Sequence, residues 1–166
     1  MCEDYFNSIN KLTGELIISR ISGERVEFKK ENLPYSRGGY FIYKKTKEGI
    51  QDTPSYIGCA YKKVNENEGS KNRSISLRCG QNLNPKDTGG TFRDRVMREE
   101  LNLEPYEYIE GKKGKIICEN TKKGIAYISE NYYLKFIVVD DNISENEVLL
   151  IERACINYYN PIYNRG

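Results

Sequence analysis

Between Gly38 and Ala60 the chain reads GGYFIYKKTKEGIQDTPSYIGCA, two β-branched and aromatic runs separated by a polar loop. No other stretch constrains the fold as much. It predicts two strands, Gly39–Lys44 and Ser55–Tyr61, joined as a hairpin. Tyr40 and Tyr43 stand on the first strand and Tyr56 on the second. Glycines lie close to them, Gly38-Gly39 before Tyr40 and Gly58 after Tyr56. Glycine in or beside a strand weakens it, and often marks a place where another backbone or a ligand comes close. Sheet packing alone also accounts for tyrosines and glycines on a hairpin, so the downstream residues must decide.

The chain is 166 residues long, enough for one domain with its own core. Charged residues make up 30% and hydrophobic residues 38%, the balance of a globular protein. No apolar run approaches the roughly 20 residues that span a bilayer. The N-terminus, MCEDYFNSIN, lacks the basic and apolar segments of a secretory signal. A cytoplasmic protein with no membrane partner is expected. Cys2, Cys59, Cys79, Cys118 and Cys155 are scattered and odd in number, which fits reduced thiols better than a disulfide framework or a zinc site. There is no histidine. Its absence removes the Ser-His-Asp and Cys-His triads and leaves acid–base work to carboxylate, tyrosine, lysine or metal-bound water. The formal net charge is only +2, but Lys62, Lys63, Lys71, Arg73, Arg78 and Lys86 crowd one region, and Lys112, Lys113 and Lys115 another. Such clusters are usually solvated faces, and are also where a phosphate backbone would lie.

In chain order, residues 3–12 have the apolar spacing of a short helix, and Leu16–Ile21 and Arg25–Lys29 read as strands around Ser22-Gly23-Glu24. Residues 1–34 form an N-terminal extension and 35–166 the main domain. Residues 62–90 are a polar insertion in which only Ser74–Cys79 looks strand-like. A helix over Phe92–Leu101 follows, with Thr91 as its cap and Asp94 as the acid of a capping box. Phe92, Val96, Met97 and Leu101 are its core side; Arg95, Arg98 and Glu99 face away. Short strands are predicted at Tyr106–Ile109 and Lys115–Cys118 across a Gly111–Gly114 turn, and a central strand at Tyr132–Val139. Ser144 and Glu147 make a second capping box, opening a helix that runs to Tyr159 before Asn160-Pro161.

That last helix carries the sharpest chemical clue. At about 100° per residue, Val148, Leu149, Cys155, Ile156 and Tyr159 share one stripe, and Glu152 lies inside it. An unpaired buried carboxylate is costly, so Glu152 needs a cation, a donor, a metal or a place at a cleft. Arg95 and the hairpin tyrosines are candidate partners. A carboxylate, an arginine and phenols, without histidine, suit phosphodiester cleavage. The carboxylate takes a hard divalent cation and the arginine grips phosphate oxygens. A tyrosine near the cation accepts a proton from water.

These elements together resemble the GIY-YIG nucleases, in which two strands carry the GIY and YIG tripeptides, one helix an arginine and a later helix a glutamate. YIG is intact as Tyr56-Ile57-Gly58. For GIY, Phe41-Ile42-Tyr43 keeps the isoleucine and tyrosine, whereas Gly38-Gly39-Tyr40 keeps the glycine; the first register is preferred, which selects Tyr43. The family's leucine-x-x-arginine matches Phe92-Arg93-Asp94-Arg95. Asn160-Pro161-Ile162-Tyr163-Asn164 resembles its closing signature at the usual distance from Glu152.

The resemblance implies an α+β fold, a small, mainly antiparallel sheet flanked by helices, that hydrolyses double-stranded DNA. It implies one divalent cation, Mg2+ or Mn2+, on Glu152. It assigns Tyr43 or Tyr56 to the water, Arg95 to the phosphate and Asn164 to a tether near the site. Lys62, Lys63, Arg73, Arg78 and Arg98 are the expected DNA contacts. Phe41 in place of the GIY glycine, the long 62–90 segment and Glu99 where the family often has histidine depart from the pattern. A stand-alone, site-specific endonuclease of restriction type is the expectation; monomer and homodimer both stay open. Homing or mobile-element and repair nucleases are variants of it. A silent DNA- or partner-binding module on the same fold, and a PD-(D/E)xK nuclease using Glu110-Gly111-Lys112, are the alternatives.

Overall fold

In the computed structural model, which describes residues 25–63 and 74–164, the predicted hairpin forms. β2 (Gly38–Thr46) and β4 (Tyr56–Ala60) pair antiparallel, with Tyr40 opposite Gly58 and Ile42 opposite Tyr56. β3 (Gly49–Ile50) pairs with the far end of β2. On its other side β2 pairs with β7 (Tyr132–Val138), which pairs in turn with β1 (Val26–Glu27), again antiparallel. The order is β1-β7-β2, with β4 and β3 sharing the last edge. β7 is central as expected, but it is not buried on both sides. Tyr132 and Leu134 are buried while Tyr133 and Lys135 are half-exposed, the alternation of an antiparallel sheet.

The two faces carry different cores. Tyr40, Ile42, Tyr56 and Leu134 pack with Ile75, Cys79, Phe92, Val96 and Ile128 on one face. Phe41, Tyr43 and Ile57 pack with Cys155, Ile151, Ile156 and Tyr159 on the other. Thus α1 (Ile75–Gly80) and α2 (Thr91–Leu101) cover the first face, and α4 (Glu145–Tyr159) the second. This is the expected α+β arrangement. α3 (Cys118–Asn131), which the sequence reading did not anticipate, lies so close to α2 that a Cβ on Gly124 would meet Met97 Cγ at 2.5 Å. Between α2 and α3, β5 (Tyr106–Ile109) and β6 (Lys112–Ile116) make a separate two-stranded ribbon. Its turn is Glu110-Gly111, both with positive φ (51° and 74°), the twist that two-residue hairpins favour. The second strand therefore begins before the expected Lys115, and Cys118 starts a helix.

Two further expectations are corrected. Ser74–Cys79 is not a strand: Ser74 Oγ accepts from the Leu77 N–H at 3.2 Å and caps α1, with Ile75 and Cys79 buried one turn apart. A short run with apolar residues at alternate positions fits both periods, and the cap decides. Thr91 does not cap α2 and Asp94 closes no capping box; Gly90 precedes the helix without a side-chain cap. Asp94 instead accepts from Arg93 Nη2 at 2.7 Å and Tyr106 Oη at 2.5 Å. Arg93 is fully buried and also donates to the carbonyls of Asn84 and Asp87 at 2.7 and 2.9 Å, so this arginine and carboxylate form a satisfied internal pair.

The capping box of α4 is present as read. Glu147 N–H donates to Ser144 Oγ at 3.2 Å, and Ser144 N–H to the Glu147 carboxylate at 2.8 Å. The helix ends at Tyr159, with Asn160 left-handed at φ 47° before Pro161. The strand expected at Arg25–Lys29 is reduced to β1; the helix at 3–12 and the strand Leu16–Ile21 lie outside the described residues. Among the described residues no helix is long and apolar enough to cross a membrane, and Cys59, Cys79, Cys118 and Cys155 are free thiols.

Candidate active site at the edge of β4

β4 pairs with β2 on one side only, and the backbone groups of its other edge are taken by the C-terminal part of the chain. Tyr163 N–H donates to the Ser55 carbonyl at 3.0 Å. Asn164 then does with its side-chain amide what a neighbouring strand would do. Its Oδ1 accepts from Ile57 N–H at 2.7 Å, and its Nδ2 donates to the Ile57 carbonyl at 2.8 Å. The next outward-facing group along this edge, the Cys59 N–H, donates to Glu152, as does the Cys59 thiol. Glu152 therefore reaches the rim of the sheet from α4.

Burial raises the Glu152 pKa above the ordinary carboxylate value; the Cys59 donors and Arg78 work against that and do not overcome it. The same burial, with Glu152 nearby, pushes the Cys59 thiol well up, so it is a neutral donor.

Around the same rim stand two tyrosines and an arginine from the first face. Tyr40 and Tyr56 lie with ring centroids 6.2 Å apart and share a hydrogen bond. Burial raises both phenols; Arg78 acts to lower them and Glu152 to raise them. For Tyr56 the hydrogen bond with Tyr40 also favours ionisation. A Cβ on Gly58 would sit 2.4 Å from the Tyr40 ring, so the YIG glycine is where that ring crosses β4. Arg78, half-buried on α1, donates from Nη1 to Gln81 Oε1 at 2.6 Å. Buried Gln81 in turn donates to Asp87 Oδ1 at 3.3 Å.

The sequence-derived candidates divide accordingly. Tyr56, Glu152 and Asn164 come together at this edge. Tyr43 does not join them: three residues from Tyr40 on one strand, it faces the opposite side, where it accepts a hydrogen bond from Tyr159 under Lys135. The glycine-preserving register, Gly38-Gly39-Tyr40, is the one that faces Tyr56. Arg95 is half-buried on α2, and the cations that bear most on Glu152 are Arg78 and Arg153. Arg78 is one of the expected DNA contacts, yet Ile75-Ser76-Leu77-Arg78 has the same apolar-x-x-arginine spacing as Phe92-Arg93-Asp94-Arg95. That spacing is meaningful only because Ile75–Gly80 is helical and not extended.

Of the remaining expected DNA contacts, Lys62 and Lys63 leave the end of β4, where Lys63 N–H donates to Glu145 at 3.0 Å. Arg98 binds Glu104 at 3.2 Å and Tyr108 Oη at 2.7 Å on the ribbon side, and Arg73 lies outside the described residues. A groove of about 500 Å³ bordered by Lys30, Leu77, Gln81, Asn84 and Asp87 touches Arg78's partner but includes neither tyrosine nor Glu152. The convergence of reactive groups, and not this groove, marks the candidate site.

No protein-family model matches the chain, and no solved structure matches it. Over 105 residues it is 30% identical to the ribose import ATP-binding protein RbsA of Bacillus licheniformis, a stretch that is 60% of this chain and 21% of that protein. The chain thus spans about a fifth of the length of the relative it matches. It contains no glycine-x4-Gly-Lys-Ser/Thr phosphate loop.

Proposed function

We propose that this chain is a metal-dependent endonuclease that hydrolyses DNA phosphodiester bonds, with Tyr56, Arg78 and Glu152 at its centre. The observation that carries the reading is the meeting of four groups from four elements at one strand edge: Tyr40 of β2, Tyr56 of β4, Arg78 of α1 and Glu152 of α4. Glu152 fits a hard divalent cation. It is a carboxylate at a rim, with its inner side held by Cys59. Among the described residues no three His, Cys, Asp or Glu side chains gather as a metal cluster. Mg2+ is commonly held by one or two carboxylates with water and substrate phosphate. Bound there, it would polarise the phosphoryl oxygen and stabilise the leaving oxyanion.

The other roles follow from chemistry and position. Arg78, with one N–H tied to Gln81, presents the rest of its planar fork to the non-bridging phosphate oxygens. Tyr56 holds the attacking water through its phenolic oxygen, and Tyr40 behind it fixes that oxygen and favours ionisation of Tyr56. Asn164 keeps the strand that carries Tyr56 in register. This reading takes the GIY-YIG resemblance with Tyr40 in place of Tyr43 and Arg78 in place of Arg95. Four residues after Arg78 stands Asn82, buried, its Nδ2 donating to the Cys79 carbonyl at 3.1 Å. It occupies the position of the family's frequent histidine in this register. Lys62 and Lys63, beside the site, would contact the DNA backbone, and a site-specific enzyme of restriction type is the form proposed.

The test is plasmid digestion with Mg2+, comparing wild type with Glu152→Ala, Arg78→Ala and Arg95→Ala. Discrete bands from wild type, lost in the first two variants and kept in Arg95→Ala, are expected. Glu152→Ala should slow cleavage at least about 10³-fold. Absence of cleavage by wild type in Mg2+ and Mn2+ on several DNAs would overturn the reading, and a smear would remove only its site-specific form.

A further inference from the structure

The proposed chemistry does not use Glu100, a carboxylate with four side-chain donors. Glu100, near the end of α2, accepts hydrogen bonds from Lys44 Nζ at 2.5 Å, from Tyr127 Oη at 2.8 Å, and from the phenols of Tyr132 and Tyr163. Four donors from β2, α3, β7 and the C-terminal turn thus meet on one carboxylate. One of them is joined through the backbone to the edge of β4. Tyr163 immediately precedes Asn164, and its own N–H is bonded to Ser55 at the start of β4. Its ring sits edge-on to Phe92 at 5.4 Å, and Phe92 in turn lies 5.6 Å from Tyr56. Glu100 therefore holds one end of the strap that runs along the outer edge of β4, over Ser55 and Ile57.

We propose that the Glu100–Tyr163 hydrogen bond is a latch for this strap, which makes Glu100 and Tyr163 positioning residues for the edge of β4. The mechanical part stands on the bonds alone. Its effect on turnover rests on the nuclease reading above. Each latch partner acts through backbone. With the latch closed, the Asn164 amide is held against Ile57, and the strand that presents Tyr56 and Cys59 keeps one height relative to α4. With it open, the C-terminal turn is held only by backbone bonds and ring packing, and β4 has an edge that frays.

The experiment compares Tyr163→Phe with Tyr127→Phe. Both remove one phenol from Glu100 and keep the ring, but only the first touches the strap. Amide exchange at Ile57, whose N–H is bonded to Asn164, is read by NMR together with the melting temperature and steady-state cleavage. In Tyr163→Phe, Ile57 exchange is expected to accelerate about tenfold. At saturating DNA, kcat is expected to fall about tenfold with KM unchanged. Tyr127→Phe should lower the melting temperature comparably and change neither. Unchanged Ile57 exchange in Tyr163→Phe, or equal acceleration in Tyr127→Phe, would overturn the latch. Accelerated exchange with kcat unchanged would also overturn the catalytic part. If wild type cleaves no DNA, the nuclease reading falls, and the exchange comparison still decides the latch.

Discussion

Glu100 and Glu152 are both half-buried carboxylates on helices that pack against the central sheet, and they are driven in opposite directions. Burial penalises the charge on each. At Glu100 four donors outweigh that penalty and hold its pKa down to about 2. At Glu152 the Cys59 donors and Arg78 do not, and its pKa stays raised. Glu100 is a satisfied structural anion, whereas Glu152 has less support from the protein. The contrast shows that the donors directed at a half-buried carboxylate decide which way its pKa moves.

The comparison breaks most sharply at Glu152→Gln. The amide keeps an acceptor for Cys59 but cannot ionise, so cleavage should drop about 10³-fold, roughly 4 kcal/mol of barrier. Thermal unfolding should show no loss of stability at neutral pH. A matching loss of stability would mean that Glu152 is as structural as Glu100.

Glu100→Gln comes next. It places an amide donor among three phenols and a lysine, which should cost about 3 kcal/mol of stability, read from urea unfolding. A cost below about 1 kcal/mol would remove the distinction. Smaller still is the effect of Gln81→Ala, which frees the Arg78 guanidinium. About a tenfold fall in kcat/KM is expected for a loosened clamp.

The two carboxylates also predict opposite pH slopes. Glu100 has a folded pKa below its unfolded value of 4.5, so its stabilisation is complete above about 4.5 and is lost as pH falls toward 2. Glu152 has a folded pKa above 4.5. Its environment favours the folded state fully below that value, and this contribution is lost as pH rises through the raised pKa. The stability deficit of Glu100→Gln should therefore shrink below pH 4.5. The advantage of Glu152→Gln should grow above it. Parallel pH curves for the two variants would contradict the assignment.

Much of this was legible locally. Ser144 and Glu147 predicted the start of α4 because a capping box is formed within four residues, and Asn160-Pro161 predicted its end for the same reason. The position of Glu152 inside an apolar stripe required only the helical period. Tyr56-Ile57-Gly58 and the closing Asn164 were visible as spacing. What could not be read was anything decided by strand pairing. Whether Tyr40 or Tyr43 faces Tyr56 depends on the β2–β4 register and on which face each residue takes, and a tripeptide match ignores both. The ring of Tyr40 needs a glycine opposite, which Gly58 supplies.

By itself, then, the sequence determined the hairpin, the last helix, the polar groups available and the absence of histidine chemistry. These depend on residue type and on interactions within a few positions. Tertiary structure alone decided that Arg78 bears on Glu152, that Arg93 and Asp94 pair inside the core, and that Glu100 is tied by three tyrosines and a lysine. Those outcomes rest on contacts across long loops, where short-range pattern carries no information about which side chains meet.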